Sequence, residues 1–147
     1  EPAQKGAVPR RIGRTKGGLN SKLHTVCDGE GRPIVMLLSK GQMTDHQGAT
    51  LVLDALPPAK TLIADRGYDS APFRQALSAK GIQPCIPSSR SRKIPYAYDR
   101  TLYRQRRRIE NLFAKLKDWR RIATRYDRCV HTFFSAICIA AAVIFWL

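Results

Sequence analysis

Two acidic residues, Asp65 and Glu110, occupy positions from which a carboxylate could do chemistry. Asp65 directly follows residues 61–64 (TLIA), a short apolar run of the kind found in strands buried on both faces. A carboxylate just past such a strand is well placed to bind a metal or to catalyse, because the strand fixes the loop after it. The alternative is that Asp65 only begins a turn, where Asp is favoured for its local hydrogen bonds.

Glu110 lies in a segment with the periodicity of a helix, predicted from about residue 100 to residue 118 and capped by Asp99. Tyr103, Arg106, Glu110 and Lys117 stand at i, i+3, i+7 and i+14 and fall within an arc of about 60° on that helix. The neighbouring face is apolar, so Glu110 lies at the border between core and solvent. The alternative is a solvated face stabilised by Arg–Glu pairs.

Together, the two carboxylates suggest a reaction class. Carboxylates from separate elements can hold Mg²⁺, which binds phosphate oxygens while keeping several of its waters. Two such ions can activate water or a 3′-hydroxyl and stabilise the leaving oxygen of a phosphodiester. The residues therefore indicate phosphoryl transfer on DNA, with Asp65 and Glu110 as metal ligands and catalytic groups.

The overall charge favours the same partner. In 147 residues, 26 Lys and Arg against 11 Asp and Glu leave a net charge of +15, which suits binding to phosphate backbones. At 44% hydrophobic residues, the chain can also bury a core, which excludes wholesale disorder. Outside the helix, the predicted DNA-binding residues lie in a basic, flexible lead-in (residues 1–20) and a basic loop (residues 87–97): Arg10, Arg11, Arg14, Arg90, Arg92 and Lys93.

The predicted elements follow a ββαβαβα order within one domain, residues 21–147. Strands at 22–27 and 34–39 form a hairpin; a helix at 45–56 follows, then the strand at 61–64 and a helix at 71–80. Pro84 makes the strand at 82–86 a sheet edge, and the 100–118 helix and a C-terminal helix complete the chain. The sequence thus predicts an α/β fold with one mixed sheet.

The cysteines and the apolar C-terminus exclude two other classes of protein. Four cysteines without a CxxC pair argue against a zinc finger and favour reduced thiols, as in the cytoplasm. Residues 132–147 are apolar but shorter than the roughly 20 residues of a membrane-spanning helix, so a helix that closes the domain is favoured over a membrane anchor. A contact between subunits is the remaining alternative.

The sequence also resembles a known family. The run Tyr103-x₂-Arg106-x₃-Glu110-x₆-Lys117 matches the Y-(2)-R-(3)-E-(6)-K pattern of insertion-sequence DDE transposases, and residues 65–69 (DRGYD) resemble their D-x-G-Y-D motif. The segments GRTKGGLNSKLHTV, GQMTDHQGA and RIATRYD are similar as well. From about residue 10 onward, the chain resembles the C-terminal catalytic part of an IS5-like transposase in the wider IS4/IS5 grouping.

This resemblance implies an RNase H-like fold with sheet order 3-2-1-4-5 and a DDE triad that binds two Mg²⁺ or Mn²⁺ ions. It implies nicking at the ends of the insertion sequence, followed by attack of the freed 3′-hydroxyl on target DNA. By the same resemblance, Asp65 is the second carboxylate of the triad and Glu110 the third. Tyr103, Arg106 and Lys117 are the signature residues, and the two basic ones lie on DNA phosphates. The implied partners are DNA and further copies of the chain in a bacterial, nucleoid-associated complex.

One departure from the family pattern concerns the first Asp, which the family carries on a strand upstream of the basic segment. No such strand precedes residue 22, and Asp28, Asp45 and Asp69 are better explained by a turn, a helix cap and the second motif. We therefore expect an incomplete domain with a gap or groove between the hairpin and the 61–64 strand. Such a chain would be inactive until joined to an upstream polypeptide or reading frame. The alternative is an inactive remnant that only binds DNA.

Overall fold

The computed structural model describes residues 13–15, 18–119, 122 and 130–147 of the chain. It begins with three antiparallel strands: β1 (Gly13–Thr15), β2 (Gly18–Cys27) and β3 (Pro33–Lys40). The β2–β3 turn forms because Asp28 Oδ1 accepts the N–H groups of Glu30 and Arg32, each at 2.9 Å, while Gly31 takes a φ of +83°. The predicted hairpin is present, but β1 and the start of β2 lie inside residues 1–20, which the sequence assigned to a flexible lead-in.

The next unit carries the strand that precedes Asp65. Helix α1 (Asp45–Val52) continues into a 3₁₀ turn (Leu53–Ala55), and β4 (Thr61–Ile63) follows. A 3₁₀ turn (Arg66–Tyr68) and helix α2 (Ala71–Ala79) lead to β5 (Gln83–Cys85), which pairs in parallel with β4. Gly81, with a φ of +73°, ends α2 as the sequence predicts.

The strands form two separate sheets rather than the one mixed sheet that the sequence predicted. The order is β1-β2-β3 in the first sheet and β4-β5 in the second. In the described part of the chain, no strand lies between them, so residues 22–27 of β2 pair with β3 alone and β4 pairs with β5 alone. The fold is therefore mixed α/β, built on two small sheets.

The helix that carries Glu110 is interrupted. The predicted continuous helix over residues 100–118 is instead α3 (Arg100–Tyr103), a 3₁₀ turn (Arg104–Arg106) and α4 (Arg107–Lys117). Asp99 caps it as predicted, because its Oδ1 accepts the N–H groups of Thr101 at 2.9 Å and Leu102 at 3.0 Å. The tighter turn alters the positions of the signature residues relative to an unbroken helix.

The last helix, α5 (Val130–Phe145), closes one side of the domain. Its buried Ala140 and Ala141 share a core cluster with Leu112 and Leu116 of α4, as predicted for a helix that closes the fold. Within residues 13–15, 18–119, 122 and 130–147, we find no helix with both the length and the apolar composition to cross a bilayer. A second cluster around Phe73 and Leu77 joins α2 to α1 and to Ile82 and Ile86, which flank β5.

Candidate active site

The guanidinium group of Arg106 brings Asp65 and Glu110 together. Its Nη2 donates to Glu110 Oε1 at 2.5 Å, and its Nη1 lies 3.9 Å from Asp65 Oδ2. Both carboxylates remain open to solvent, with 45% of the Asp65 side chain and 56% of the Glu110 side chain exposed. The two predicted ligands, 45 residues apart in sequence, thus share one cation at an accessible surface.

Asp65 uses its two carboxylate oxygens differently. Oδ1 accepts the Gly67 N–H at 2.9 Å and so begins the 3₁₀ turn after β4. Oδ2 is directed toward Arg106. The sequence left open whether Asp65 begins a turn or belongs to a functional site, and one side chain can do both. The hydrogen bond in the turn fixes Oδ1 and thereby positions Oδ2.

A third acidic residue, Asp45, lies beside Asp65, and the sequence reasoning missed it. A methyl group placed on Gly67 would overlap the Asp45 carboxylate and lie 3.1 Å from Asp65 Oδ1, so only a glycine lets the two carboxylates approach this closely. Asp45 Oδ1 also accepts a hydrogen bond from Lys22 Nζ at 2.9 Å. The sequence had assigned Thr44 and Asp45 together to the cap of α1; Thr44 is its N-cap residue, and Asp45 is the first residue of the helix.

Two tyrosines, Tyr103 and Tyr68, flank these carboxylates. Tyr103 meets Tyr98 edge to face, with ring centroids 5.4 Å apart, and the Arg106 guanidinium lies 5.8 Å from the Tyr103 ring. Burial raises the pKa of Tyr103, with a further contribution from Asp65 that Arg106 opposes. Burial, together with Asp45 and Asp65, raises the pKa of Tyr68 to about 12. Both phenols are therefore neutral near pH 7 and can donate a hydrogen bond.

Asp65 and Arg106 line two cavities at once. The smaller cavity, of about 470 Å³, lies around the acidic turn and is lined by Asp45, Asp65, Arg66, Gly67, Pro87, Tyr98, Tyr103 and Arg106. The larger cavity, of about 670 Å³, is lined on one side by residues 24–28 and on another by residues 61–65. Helix residues including Arg106, Ile109, Glu110 and Phe113 complete its wall. We call this larger cavity the inter-sheet groove.

The wall of the inter-sheet groove contains polar atoms without partners. Thr25 Oγ1 and His24 Nδ1 are buried and make no hydrogen bond in the described part of the chain. His24 Nε2 lies 2.8 Å from Ser39 Oγ. Burial and the nearby Lys22 lower the pKa of His24, whereas Asp45 opposes them, so the ring is neutral at pH 7. Unpaired buried polar atoms are costly, so each of these two atoms has an unmet hydrogen-bonding requirement.

The predicted basic contacts differ in how available they are. Lys117, at the end of α4, and Arg90 and Lys93 in the basic loop are exposed. Arg92 is not free: its Nε and Nη2 each donate to the buried Asp69 carboxylate at 3.0 Å, which raises the pKa of Arg92. Arg10 and Arg11 lie outside the described residues, and Arg14 is described only as a backbone position of β1.

The described residues offer few potential metal ligands close together. Across the described ranges, with their gaps at 16–17, 120–121 and 123–129, no group of three or more His, Cys, Asp or Glu residues is placed to hold a metal ion. The carboxylates of Asp65 and Glu110 carry oxygen atoms of the type that Mg²⁺ and Mn²⁺ prefer.

The chain matches a known protein family. A family model described as the transposase DDE domain matches residues 4–146, so the chain belongs to this family. It is 30% identical, over 93% of its length and 72% of the relative's, to a protein assigned as a transposase of insertion sequence element IS402 in Burkholderia cepacia. It is 33% identical, over 88% of its length and 99% of the relative's, to one assigned to insertion sequence element IS6501 in Brucella ovis. No solved structure matches the chain.

Proposed function

We propose that this chain carries part of the active site of an IS5-like transposase, which cleaves phosphodiesters at insertion-sequence ends and transfers the freed strand to target DNA. The observation that carries the proposal is the double contact of Arg106 with Asp65 and Glu110. Two exposed carboxylates, one after a strand and one on a distant helix, contact the same guanidinium, and metal-dependent phosphoryl transfer needs carboxylates gathered in this way.

Asp65 Oδ2 and the Glu110 carboxylate would hold the divalent metal, because both belong to side chains that are open to solvent. A bound Mg²⁺ or Mn²⁺ would activate a water molecule or the 3′-hydroxyl of a DNA strand and would stabilise the leaving oxygen. Arg106 places a positive charge between the two carboxylates and so lowers their mutual repulsion. Gly67, whose N–H holds Asp65 Oδ1, fixes the direction of the other oxygen.

We further propose that the inter-sheet groove receives the strand that completes an RNase H-like sheet. Each side of the groove presents a strand with one edge unpaired within the described residues, residues 25–27 of β2 and residues 61–63 of β4. An unpaired strand edge is a template for another strand. The backbone of one added strand would hydrogen-bond to the unpaired N–H and C=O groups of both β2 and β4. Because Asp65 and Glu110 also line the groove, an acidic residue on that strand would lie beside them and complete the triad. The strand would come from an upstream polypeptide.

DNA would contact the exposed cations around this site. Lys117, Arg90 and Lys93 are available for phosphates, while Arg106 is engaged by carboxylates. The basic residues Arg10, Arg11 and Arg14 would extend the contact along the duplex. The net charge of +15 supports binding without sequence preference, and we expect several copies of the chain to bind together.

A second candidate function is that of an inactive remnant that binds DNA without cleaving it. This alternative is favoured by the ligand count, because no group of three metal-ligating residues occurs in the described part of the chain. The two functions share every basic residue and differ only in whether a third carboxylate reaches the site.

The test uses Asp65→Asn and Glu110→Gln in a chain extended upstream through the missing strand, with nicking of an insertion-end duplex measured in Mn²⁺. Glu30→Gln is the matched control, because Glu30 is an exposed carboxylate in the β2–β3 turn. We expect each site variant to lose nicking at least 100-fold while it retains duplex binding, and the control to remain active. Nicking that survives in either site variant would contradict the assignment of these carboxylates.

A further inference from the structure

The basic loop, residues 87–97, presents an isoleucine to solvent. Ile94 is 84% exposed, although a side chain of this size is usually buried. Its neighbours Arg90 and Lys93 are also exposed. Within the described part of the chain neither of them forms an ion pair, so the apolar tip is bordered by two available positive charges. We call residues 90–95 the loop tip.

The loop tip is anchored at its start by a buried carboxylate. The Asp69 side chain is completely buried and accepts the Ser89 N–H at 2.6 Å. It also accepts two hydrogen bonds from Arg92 at 3.0 Å and one from Arg74 Nε at 2.8 Å. Charge-assisted hydrogen bonds of this kind are strong and directional. They fix the backbone at Ser89 and the side chain at Arg92.

The same network anchors the end of the loop tip. Tyr96 stacks under both guanidinium groups, with the Arg74 carbon 4.2 Å and the Arg92 carbon 4.8 Å from its ring centroid. The Tyr96 N–H donates to Ser88 Oγ at 2.7 Å, which joins the two ends of the loop. Because both ends are held, Ile94 is presented on a braced loop that loses little freedom when it binds a partner.

We propose that the loop tip is a wedge for duplex DNA, with Ile94 inserted between base pairs from the minor groove and Arg90 and Lys93 on the adjacent phosphates. This proposal rests on the proposed DNA-binding function and adds a residue that deforms the DNA. Isoleucine is one of the apolar side chains that proteins insert between base steps to unstack and kink a duplex. The flanking positive charges favour DNA over an apolar protein surface as the partner of Ile94.

The experiment compares the whole 147-residue chain with its Ile94→Ala variant on a duplex of about 30 base pairs. The duplex carries 2-aminopurine, whose fluorescence rises when its base is unstacked, and an end-to-end pair of fluorophores that reports bending. The matched control is Ile139→Ala, because Ile139 is an isoleucine 61% exposed on α5 and distant in sequence from the loop. Ile94→Leu keeps an apolar wedge of the same size.

We expect the unmodified chain, Ile139→Ala and Ile94→Leu to raise the 2-aminopurine signal and to bring the DNA ends closer together. Ile94→Ala should lose both signals, while its affinity falls less than 10-fold and the salt dependence of binding is unchanged, because no phosphate contact is removed. Arg90→Ala and Lys93→Ala should each reduce the salt slope by about 1.

Four outcomes would overturn the proposal. The unmodified chain could bind the duplex without distorting it, which would leave DNA binding intact but remove the wedge. Ile94→Ala could distort the duplex as strongly as the unmodified chain, or it could change the sedimentation of the protein instead, which would make Ile94 a contact between protein subunits. Failure of the unmodified chain to bind any duplex would overturn the proposed function as well.

Discussion

The buried Asp69 carboxylate should be a principal determinant of stability, and Asp69→Asn tests this with a change of almost no volume. The carboxylate balances Arg74, whose side chain is only 8% exposed, and Arg92. An asparagine retains one acceptor oxygen but turns its NH₂ group toward a guanidinium donor. The substitution therefore leaves buried positive charge without its partner.

The size of the effect follows from this burial. Removal of one partner from a buried ion pair costs about 3–5 kcal/mol, because the remaining charge stays desolvated. In a chain of this length, 1 kcal/mol shifts the melting temperature by about 2–4 °C, so we expect Asp69→Asn to lower it by about 10 °C. Asp54→Asn is the matched control, because Asp54 is exposed and should shift stability by less than about 0.5 kcal/mol.

The pH dependence of the free energy of unfolding provides a second, independent test of the Asp69 carboxylate. Burial alone would raise the pKa of Asp69, but the hydrogen bonds from Arg92, Ser89 and Arg74 outweigh it and hold this pKa well below its usual range. Since the folded pKa lies below the unfolded value of about 3.9, the stabilisation is present above about pH 4 and is lost as the pH falls further. The stability difference between the unmodified chain and Asp69→Asn should therefore shrink below pH 4.

The assay is urea-induced unfolding followed by far-ultraviolet circular dichroism at pH 7 and at several values below pH 4. A loss of less than 1 kcal/mol for Asp69→Asn at pH 7 would refute the assigned role of the carboxylate. A stability difference that stays constant as the medium is acidified would refute the ionic origin of the effect.

Two further predictions concern other parts of the site. Gly48→Ala should destabilise the fold by about 1–3 kcal/mol despite the better helix propensity of alanine, because the new methyl group would overlap the buried His24 ring. Gly29→Ala, where the nearest atom is 4.0 Å away, is the control in the same urea assay, and equal stability of the two variants would contradict this packing. In duplex-binding titrations, Lys117→Ala should reduce the salt slope by about 1, whereas Arg106→Ala should leave it unchanged, because Glu110 and Asp65 already engage its charge. Equal reductions in the two slopes would show instead that Arg106 contacts a phosphate.

Much of the site could be predicted because its residues lie in local patterns. The 61–64 run predicts a strand, and Asp65 follows it, while the spacing of Tyr103, Arg106 and Glu110 places them on one helical side. The structure accordingly brings Arg106 to both carboxylates. The pattern did not reveal the 3₁₀ turn at Arg104–Arg106, since periods of about 3.0 and about 3.6 residues cannot be told apart over three residues of sequence.

What the sequence could not reveal depends on contacts between distant segments. Asp45 resembled a helix cap, and its proximity to Asp65 becomes visible only when α1 packs beside the turn that contains Gly67. Arg92 resembled a free DNA contact, but Asp69, 23 positions earlier, engages it. No local signal distinguishes a basic residue that binds a buried carboxylate from one that is free.

We propose that Asp65 and Glu110 are two of three metal ligands and that the third arrives on a strand in the inter-sheet groove. The most direct measurement is nicking of an insertion-end duplex in Mn²⁺ by the 147-residue chain alone and by the same chain extended upstream through that strand. We predict nicking only by the extended chain, and its loss when the acidic residue of the added strand is changed to its amide. Nicking by the 147-residue chain alone would contradict the account, because a carboxylate already present, such as Asp45, would then complete the site.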